Sequence, residues 1–178
     1  GVTLLPMTDT PVETHVVIDE GEGPRAVHFQ EWWVRLRAAV PAQRFVVVGM
    51  ERATAAPGVL DAIRRADVAL LPPGPPVVSV GIILGVPGVR DALRGTQAPV
   101  VGVSPLVAGR PVRGHADACL QAIGVETTSA AVAGLYADFL AGVGEECARR
   151  RFEINLTVVP EEDQPDAYRA LSSKGLIG

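Results

Sequence analysis

The sequence predicts an α/β fold: a Rossmann-like, mainly parallel sheet with helices on both faces and a β-hairpin insertion. Three observations lead there. Phe45-Val46-Val47-Val48-Gly49, Val68 to Leu71 and Pro99 to Val103 are apolar at consecutive positions and too short for helices, the pattern of strands covered on both faces. Pro57 to Ala66 and Pro87 to Leu93 each place apolar residues at helical spacing behind a proline suited to a first turn. The connections are short, and strand alternating with helix implies right-handed crossovers.

Taken in order, Val2 to Leu5 reads as a short strand; the chain opens at Gly1 without an initiator Met, so this start reads as the middle of a longer fold. Val12, Thr14, Val16 and Ile18 alternate with Glu13, His15 and Val17, the turn formers Asp19 to Gly23 follow, and Arg25 to Phe29 returns as the second arm of a hairpin. From Gln30 the spacing turns helical and runs to Val40, where Pro41 stops it. Trp32 and Trp33 are adjacent, so they cannot share one helix face, and one of them is expected over the hairpin. Beyond the strands and helices already named, His115 to Ile123 and Ser129 to Ala141 read as helices, the second with Thr128 as N-cap. Ile154 to Val159 reads as a strand, and Glu162 to Ser173 as a last helix ended by Gly175. Residues 1–178 form one α/β domain or the C-terminal portion of one.

Composition narrows the function. Sixteen Lys+Arg stand against 20 Asp+Glu, a formal charge of −4, so no basic field is available for nucleic acid or a membrane surface. With 48% hydrophobic residues the chain can bury an ordinary core, which excludes disorder as its main state. Gly and Pro interrupt the uncharged stretches before about 20 lipid-facing positions accumulate, so no transmembrane helix is expected. Cys119 and Cys147 lie outside any CxxC or Cys/His cluster, and with no signal peptide at the start a reducing cytoplasm is the expected location.

Ligands of open α/β sheets bind beyond the C-terminal ends of the strands, which directs attention to the loops after Val48, Leu71 and Val103. Fourteen Gly and Pro residues fall between Pro72 and Gly109, where Arg90, Asp91 and Arg94 are the only charges. So apolar a loop region points to tight turns close to a ligand or partner. In Leu71 to Gly81, Ser79 is the only polar side chain; it either joins backbone N–H groups in holding a phosphate or base, or caps a rigid crossover. No Walker motif or GxGxxG follows a strand. Ser104 to Asp117 mixes Ser104, Arg110, Arg113 and Asp117 on one connection. Arg113, beside the permissive Gly114, suits a diphosphate, and Asp117 suits a helix cap or a sugar hydroxyl; a solvated loop is the competing reading. Thr8 and Asp9 suit a ligand hydroxyl, against a plain turn before Pro11. His15, His28 and His115 share no metal-ligand spacing, Cys119 reads as packing, and no Ser/His/Asp triad assembles.

Several segments together resemble one family. Pro6-Met7-Thr8-Asp9, Phe29-Gln30-Glu31-Trp32-Trp33-Val34-Arg35, Ala56-Pro57-Gly58-Val59-Leu60, Pro76 to Leu84, Val86-Pro87-Gly88-Val89-Arg90 and Val103-Ser104-Pro105-Leu106 occur in the order seen in 2-phospho-L-lactate transferases. Arg113-Gly114-His115-Ala116-Asp117 is similar to that family's Lys/Arg-Gly-Pro-Ala-Asp. The likeness covers residues 3–141, with 142–178 a divergent tail. It implies transfer of a phospholactyl or phosphoenolpyruvyl group from a guanosine diphosphate-linked donor to the hydroxyl of a deazaflavin, 7,8-didemethyl-8-hydroxy-5-deazariboflavin. GMP is released, Mg²⁺ assists, and the product leads to the deazaflavin coenzyme factor 420. Carried onto this chain, the resemblance makes Thr8, Asp9, Ser79, Ser104, Arg113, Gly114 and Asp117 the expected substrate-binding residues. It assigns no catalytic residue and expects the metal ligands outside the chain.

The departures have consequences. The family's Pro-Ser-Asn-Pro is Pro73-Gly74-Pro75-Pro76 here, which removes a hydroxyl and an amide able to read a guanine edge and leaves guanosine specificity open. The Gly-rich nucleotide loop that opens the family is missing, so the chain as given is expected to be inactive alone and to aggregate or form a homodimer through unpaired sheet edge. Two other readings stand beside the transferase: a nucleotide-sugar-binding regulator of the gluconeogenesis-factor type, and an inactive fragment.

Overall fold

A computed structural model describes residues 2–140. The strand expected at Ile154 to Val159, the helix at Glu162 to Ser173, the tail from 142 and Cys147 lie outside the described residues.

The hairpin forms as its alternation requires. Strand β1 (Glu13–Asp19) pairs antiparallel with β2 (Pro24–His28), Val16 opposite Val27 and His15 opposite His28. The Asp19 carboxylate closes the turn by accepting from the amides of Gly21 at 2.8 Å and Gly23 at 3.1 Å. One face of the hairpin is buried through Val16, Ile18 and Val27, and Trp32 covers it. Its indole Nε1 donates to the Val40 carbonyl at 2.8 Å, so the one polar atom of a fully buried ring is satisfied.

Three expectations are corrected. The helix expected from Gln30 to Val40 is one π-helical turn, Glu31–Arg35, after which Arg37 and Ala38 take φ of +49° and +52°. That reversal, closed by the Ala38 amide on the Trp32 carbonyl at 2.9 Å, brings Val40 back to the indole. The left-handed residues cost roughly 1–2 kcal/mol each, which burial of Trp32 offsets. The run at Phe45 to Gly49 belongs to β3 (Ala42–Val48), which is not a parallel strand: it pairs antiparallel with β1, giving the order β2-β1-β3. Phe45 meets Trp32 edge-on with ring centroids 5.7 Å apart, whereas Val48 is half exposed, so an apolar run here does not mean cover on both faces. Val2 to Leu5 forms no strand, and Val2 and Leu4 are almost fully exposed.

The α/β part follows the expected plan. Helix α1 (Val59–Arg65) leads to β4 (Ala69–Leu71); a π-helical run, Pro76–Val80, continues into α2 (Gly81–Gly85); and α3 (Val89–Gly95) leads to β5 (Val100–Gly102). Strands β4 and β5 are parallel, Ala69 opposite Val100 and Leu71 opposite Gly102; among the described residues the parallel pairing is confined to these two. A short hairpin, β6 (Leu106–Val107) with β7 (Arg110–Pro111), follows and was not expected. Its two-residue turn has Ala108 and Gly109 both at positive φ, 51° and 75°, as a tight hairpin turn demands. Helix α4 (Ala116–Ala122) and helix α5 (Ser129–Gly134) complete the described chain. Thr128 caps α5 as expected, its hydroxyl accepting from the Ala131 amide at 3.1 Å.

The core of this part joins Val80, Leu84, Val86, Val89, Leu93 and Val100 to Leu120, Val132, Tyr136 and Phe139, with Val59, Leu60 and Ile63 of α1 packed against it. Among the described residues no single helix is long and apolar enough to cross a membrane.

Candidate functional site

The C-terminal ends of β4 and β5 open into a cleft. Leu71, Pro72 and Gly74 line it from the first strand, Gly102, Val103, Ser104 and Pro105 from the second, and Ser129, Val132, Ala133 and Tyr136 of the α5 segment with Leu140 form the facing wall. The Val103 amide donates to the Leu71 carbonyl at 3.0 Å, so the two strand ends stay in register at the rim. The expectation that loops after Leu71 and Val103 line a site is met. The loop after Val48 does not join them, because β3 belongs to the antiparallel sheet.

Polarity in the cleft comes from hydroxyls. Ser104 Oγ accepts from the Leu106 amide at 3.1 Å and lies 2.8 Å from Ser129 Oγ, and the Leu106 carbonyl is 3.2 Å from Ser104 Oγ and 3.5 Å from Ser129 Oγ. One hydroxyl donates to the other, and the Leu106 carbonyl is within reach of the second proton. Ser129 keeps at least one free lone pair in either arrangement. Tyr136 is 6% exposed, and its hydroxyl has no hydrogen-bond partner among the described residues. Burial pushes this phenol up to about 12, against a smaller opposing pull from Arg90, so it is neutral at physiological pH. Among the described residues no Arg, Lys, Asp or Glu lines the cleft.

Of the residues expected to bind substrate, Ser104 alone lines this cleft. Ser79 sits inside the helical run, facing Gly74, where an added Cβ would come 2.8 Å from its Oγ. Arg113 is exposed and has no ion pair among the described residues, and Arg113 and Ser79 are not on the cleft wall. Gly114 takes φ +72° with the Trp33 ring so close that a Cβ would meet Cζ2 at 2.5 Å. Asp117 is exposed in the first turn of α4, beside a shallow groove it shares with Gln121 and Glu126. Thr8 closes a turn by accepting from the Thr10 amide at 3.1 Å, and Asp9 is exposed beside it. The sequence marks Ser129 and Tyr136 only as parts of a helix from Ser129 to Ala141, of which the structure forms Ser129–Gly134, with Tyr136 in the turn that follows. Nothing in their local sequence distinguishes them from other helical residues, since the cleft arises where α5 meets β5.

Cys119 is fully buried, with its thiol pushed up to about 12 by burial, which leaves it an inert packing group. His15 and His28 face each other across the hairpin with centroids 5.6 Å apart, and His115 packs edge-on against Trp33 at 4.9 Å. Among the described residues no three His, Cys, Asp or Glu side chains converge. This portion therefore presents no ligand cluster for the Mg²⁺ that the resemblance implies, and no chemical step is assigned to that ion.

Comparison with known proteins agrees with the sequence resemblance. A family model described as 2-phospho-L-lactate transferase CofD matches residues 1–174. A protein of Thermobifida fusca named phosphoenolpyruvate transferase is 62% identical over 143 residues, which cover 80% of this chain and 44% of that protein. One of the same name from Mycolicibacterium smegmatis is 58% identical over 146 residues, covering 81% of this chain and 44% of its own. The chain thus spans less than half the length of these curated relatives. A crystal structure from Bacillus halodurans shares the fold with a TM-score of 0.50 at 22% identity, over 76% of this chain and 40% of that one. With a family model matched along almost its whole length, and these identities to curated transferases, the chain belongs to the 2-phospho-L-lactate transferase CofD family.

Proposed function

We propose that this chain is part of a cytoplasmic transferase that moves a phosphoenolpyruvyl or phospholactyl group from a guanosine diphosphate-linked donor to the hydroxyl of the deazaflavin. The names of its relatives favour phosphoenolpyruvyl. The observation that carries the proposal is the strand-end cleft, because family segments identified in the sequence, Pro76 to Leu84 and Val103 to Leu106, supply its Val80 and its Val103-Ser104-Pro105 rim. The deazaflavin hydroxyl oxygen attacks the phosphorus bearing the lactyl or enolpyruvyl oxygen, a new P–O bond forms as the diphosphate bridge breaks, and GMP leaves while the hydroxyl proton passes to water or to the departing phosphate. Such a reaction asks for positioning and charge neutralisation rather than a protein nucleophile. In this reading Arg113 meets the diphosphate, Thr8 and Asp9 meet the acceptor hydroxyl, and Ser79, Ser104, Gly114 and Asp117 border the donor. The ligands of the implied Mg²⁺ are expected outside this chain, and no step is assigned to that ion.

The test is a chimera in which this chain replaces the matched segment of the Thermobifida fusca relative. With deazaflavin, donor and Mg²⁺, chromatography should show GMP, whereas the 178-residue chain alone should release none. A folded chimera that releases no GMP but binds a nucleotide sugar tightly would move the assignment to a regulator of the gluconeogenesis-factor type.

A further inference from the structure

Of the residues used in the transferase reading, Arg113 alone carries a positive charge, and it sits on a short irregular connector between β7 and α4. A cation on a loose connector binds a diphosphate weakly, because binding must then order the loop as well as the side chain. Here the connector is held on both sides of Arg113. Before it, the Val112 amide donates at 3.0 Å to the carbonyl of Pro105, a residue of the cleft rim. After it, Gly114 lies against the Trp33 ring at φ +72°, so close that a Cβ would meet Cζ2 at 2.5 Å. His115, the next residue, packs edge-on against the same ring with centroids 4.9 Å apart.

The ring is fixed in turn from the hairpin side, with Phe29 at 5.1 Å and Trp32 at 6.1 Å between centroids. Trp32 is fully buried and already covers the hairpin, so that cover does not require a second indole. Trp33 is only partly buried and does not line the cleft. Its contacts instead join the β2-β1-β3 sheet to the connector that carries Arg113.

We propose that Trp33 is a positioning residue for Arg113: by pinning Gly114 and His115 it holds the Arg113 backbone beside the cleft rim, so that the guanidinium meets the donor's diphosphate with little loop left to order. This inference rests on the transferase reading, which puts the diphosphate at Arg113. Because Trp33 acts through Arg113, its removal loses no more than Arg113 itself contributes. Lost preorganisation of this kind weakens binding roughly two- to tenfold.

The experiment measures binding of GDP, which carries the diphosphate, to the chimera by calorimetry. Arg113→Ala should weaken it about tenfold or more and Trp33→Leu about three- to tenfold, whereas Trp33→Phe, which keeps a ring against Gly114, should stay within about twofold of the parent. The double variant Arg113→Ala/Trp33→Leu should bind no more weakly than Arg113→Ala alone. A general loosening of the fold would instead weaken both backgrounds alike. His115→Ala guards against misfolding of Trp33→Leu: it removes a second contact to the ring, its side chain makes no capping bond to α4, and it too should weaken GDP binding only while Arg113 is present. Unchanged affinity in Trp33→Leu and His115→Ala, or losses that multiply with that of Arg113→Ala, would overturn the inference. If Arg113→Ala itself leaves GDP affinity unchanged, the placement of the diphosphate falls and the inference with it. If Arg113→Ala weakens binding and Trp33→Leu does not, that placement stands and the inference alone falls. A chimera that shows the full pattern yet releases no GMP rejects the transfer reaction and keeps the role of Trp33.

Discussion

Arg90 of α3 grips Asp138, 48 residues along the chain, through both carboxylate oxygens, Nε to Oδ2 at 2.9 Å and Nη2 to Oδ1 at 2.6 Å. The same Nη2 donates to the Leu135 carbonyl at 2.9 Å, the guanidinium stacks over Phe139 at 5.2 Å, and Arg94 adds a bond from Nε to Oδ2 at 2.6 Å. Tyr136 lies within the segment so held. The clamp ties α3 to the wall of the cleft, which makes Arg90, part of a family-like segment in the sequence, a structural residue.

The clamp predicts an acid dependence of stability. The hydrogen bond from Arg90, joined by that from Arg94, holds the Asp138 carboxyl at about 2 against the opposing effect of desolvation. A carboxyl lowered on folding contributes its full stability above the unfolded value of about 4 and loses it as pH falls through the folded one. Thermal unfolding of Asp138→Asn should therefore show a lower midpoint than the parent at pH 7, the two curves converging between roughly pH 4 and pH 2. A gap that stays constant with pH would show that the ion pairs contribute nothing.

Trp32 and Trp33 should respond differently to truncation. Trp32 is fully buried with its N–H satisfied, so Trp32→Ala should cost about 3–5 kcal/mol in urea unfolding. Trp33 is only partly buried against Phe29 and His115, and Trp33→Ala should cost clearly less. Equal losses would contradict the assignment of Trp32 as the cover of the hairpin.

Gly114 is held in a left-handed conformation against the Trp33 ring, which is itself wedged between Phe29 and His115. Gly114→Ala should destabilise by about 1–3 kcal/mol through strain and overpacking. Adding Trp33→Leu should recover part of that loss, and a strictly additive double mutant would remove the contact from the explanation.

Arg113 is exposed and without an ion pair among the described residues, so Arg113→Ala should change stability by no more than about 0.5 kcal/mol. If it meets the diphosphate, donor affinity in the chimera should fall about tenfold or more, the worth of a charge-assisted bond. Calorimetry showing unchanged donor affinity would return it to the solvated surface.

Strand β4 pairs only with β5 among the described residues, and Leu70 on it is 59% exposed. An open apolar edge of this kind favours self-association. Sedimentation of the 178-residue chain should reveal a dimer or larger species that Leu70→Lys shifts toward monomer; a parent that sediments as a monomer would refute it.

Sequence alone determined what local forces control. The Pro57-Gly58 and Pro87-Gly88 pairs announce α1 and α3, with both glycines at φ +88°. The Thr128 cap, the Asp19 turn and strands β4 and β5 also follow from torsional preference, short-range hydrogen bonding and apolar runs of a few residues. Only tertiary structure decided that Phe45 to Val48 pairs antiparallel with the hairpin, because an apolar run carries no record of its partner strand. The same holds for the choice of Trp32 over Trp33 for the core and for which expected residues line the cleft, Ser104 doing so and Ser79 and Arg113 not. Ser129 and Tyr136 joined the cleft unannounced: Ser129 reaches Ser104, 25 residues away, and Tyr136 lines the cleft from beyond the end of α5. Contacts at such separations gain their energy only once the chain has packed, so no local pattern encodes them.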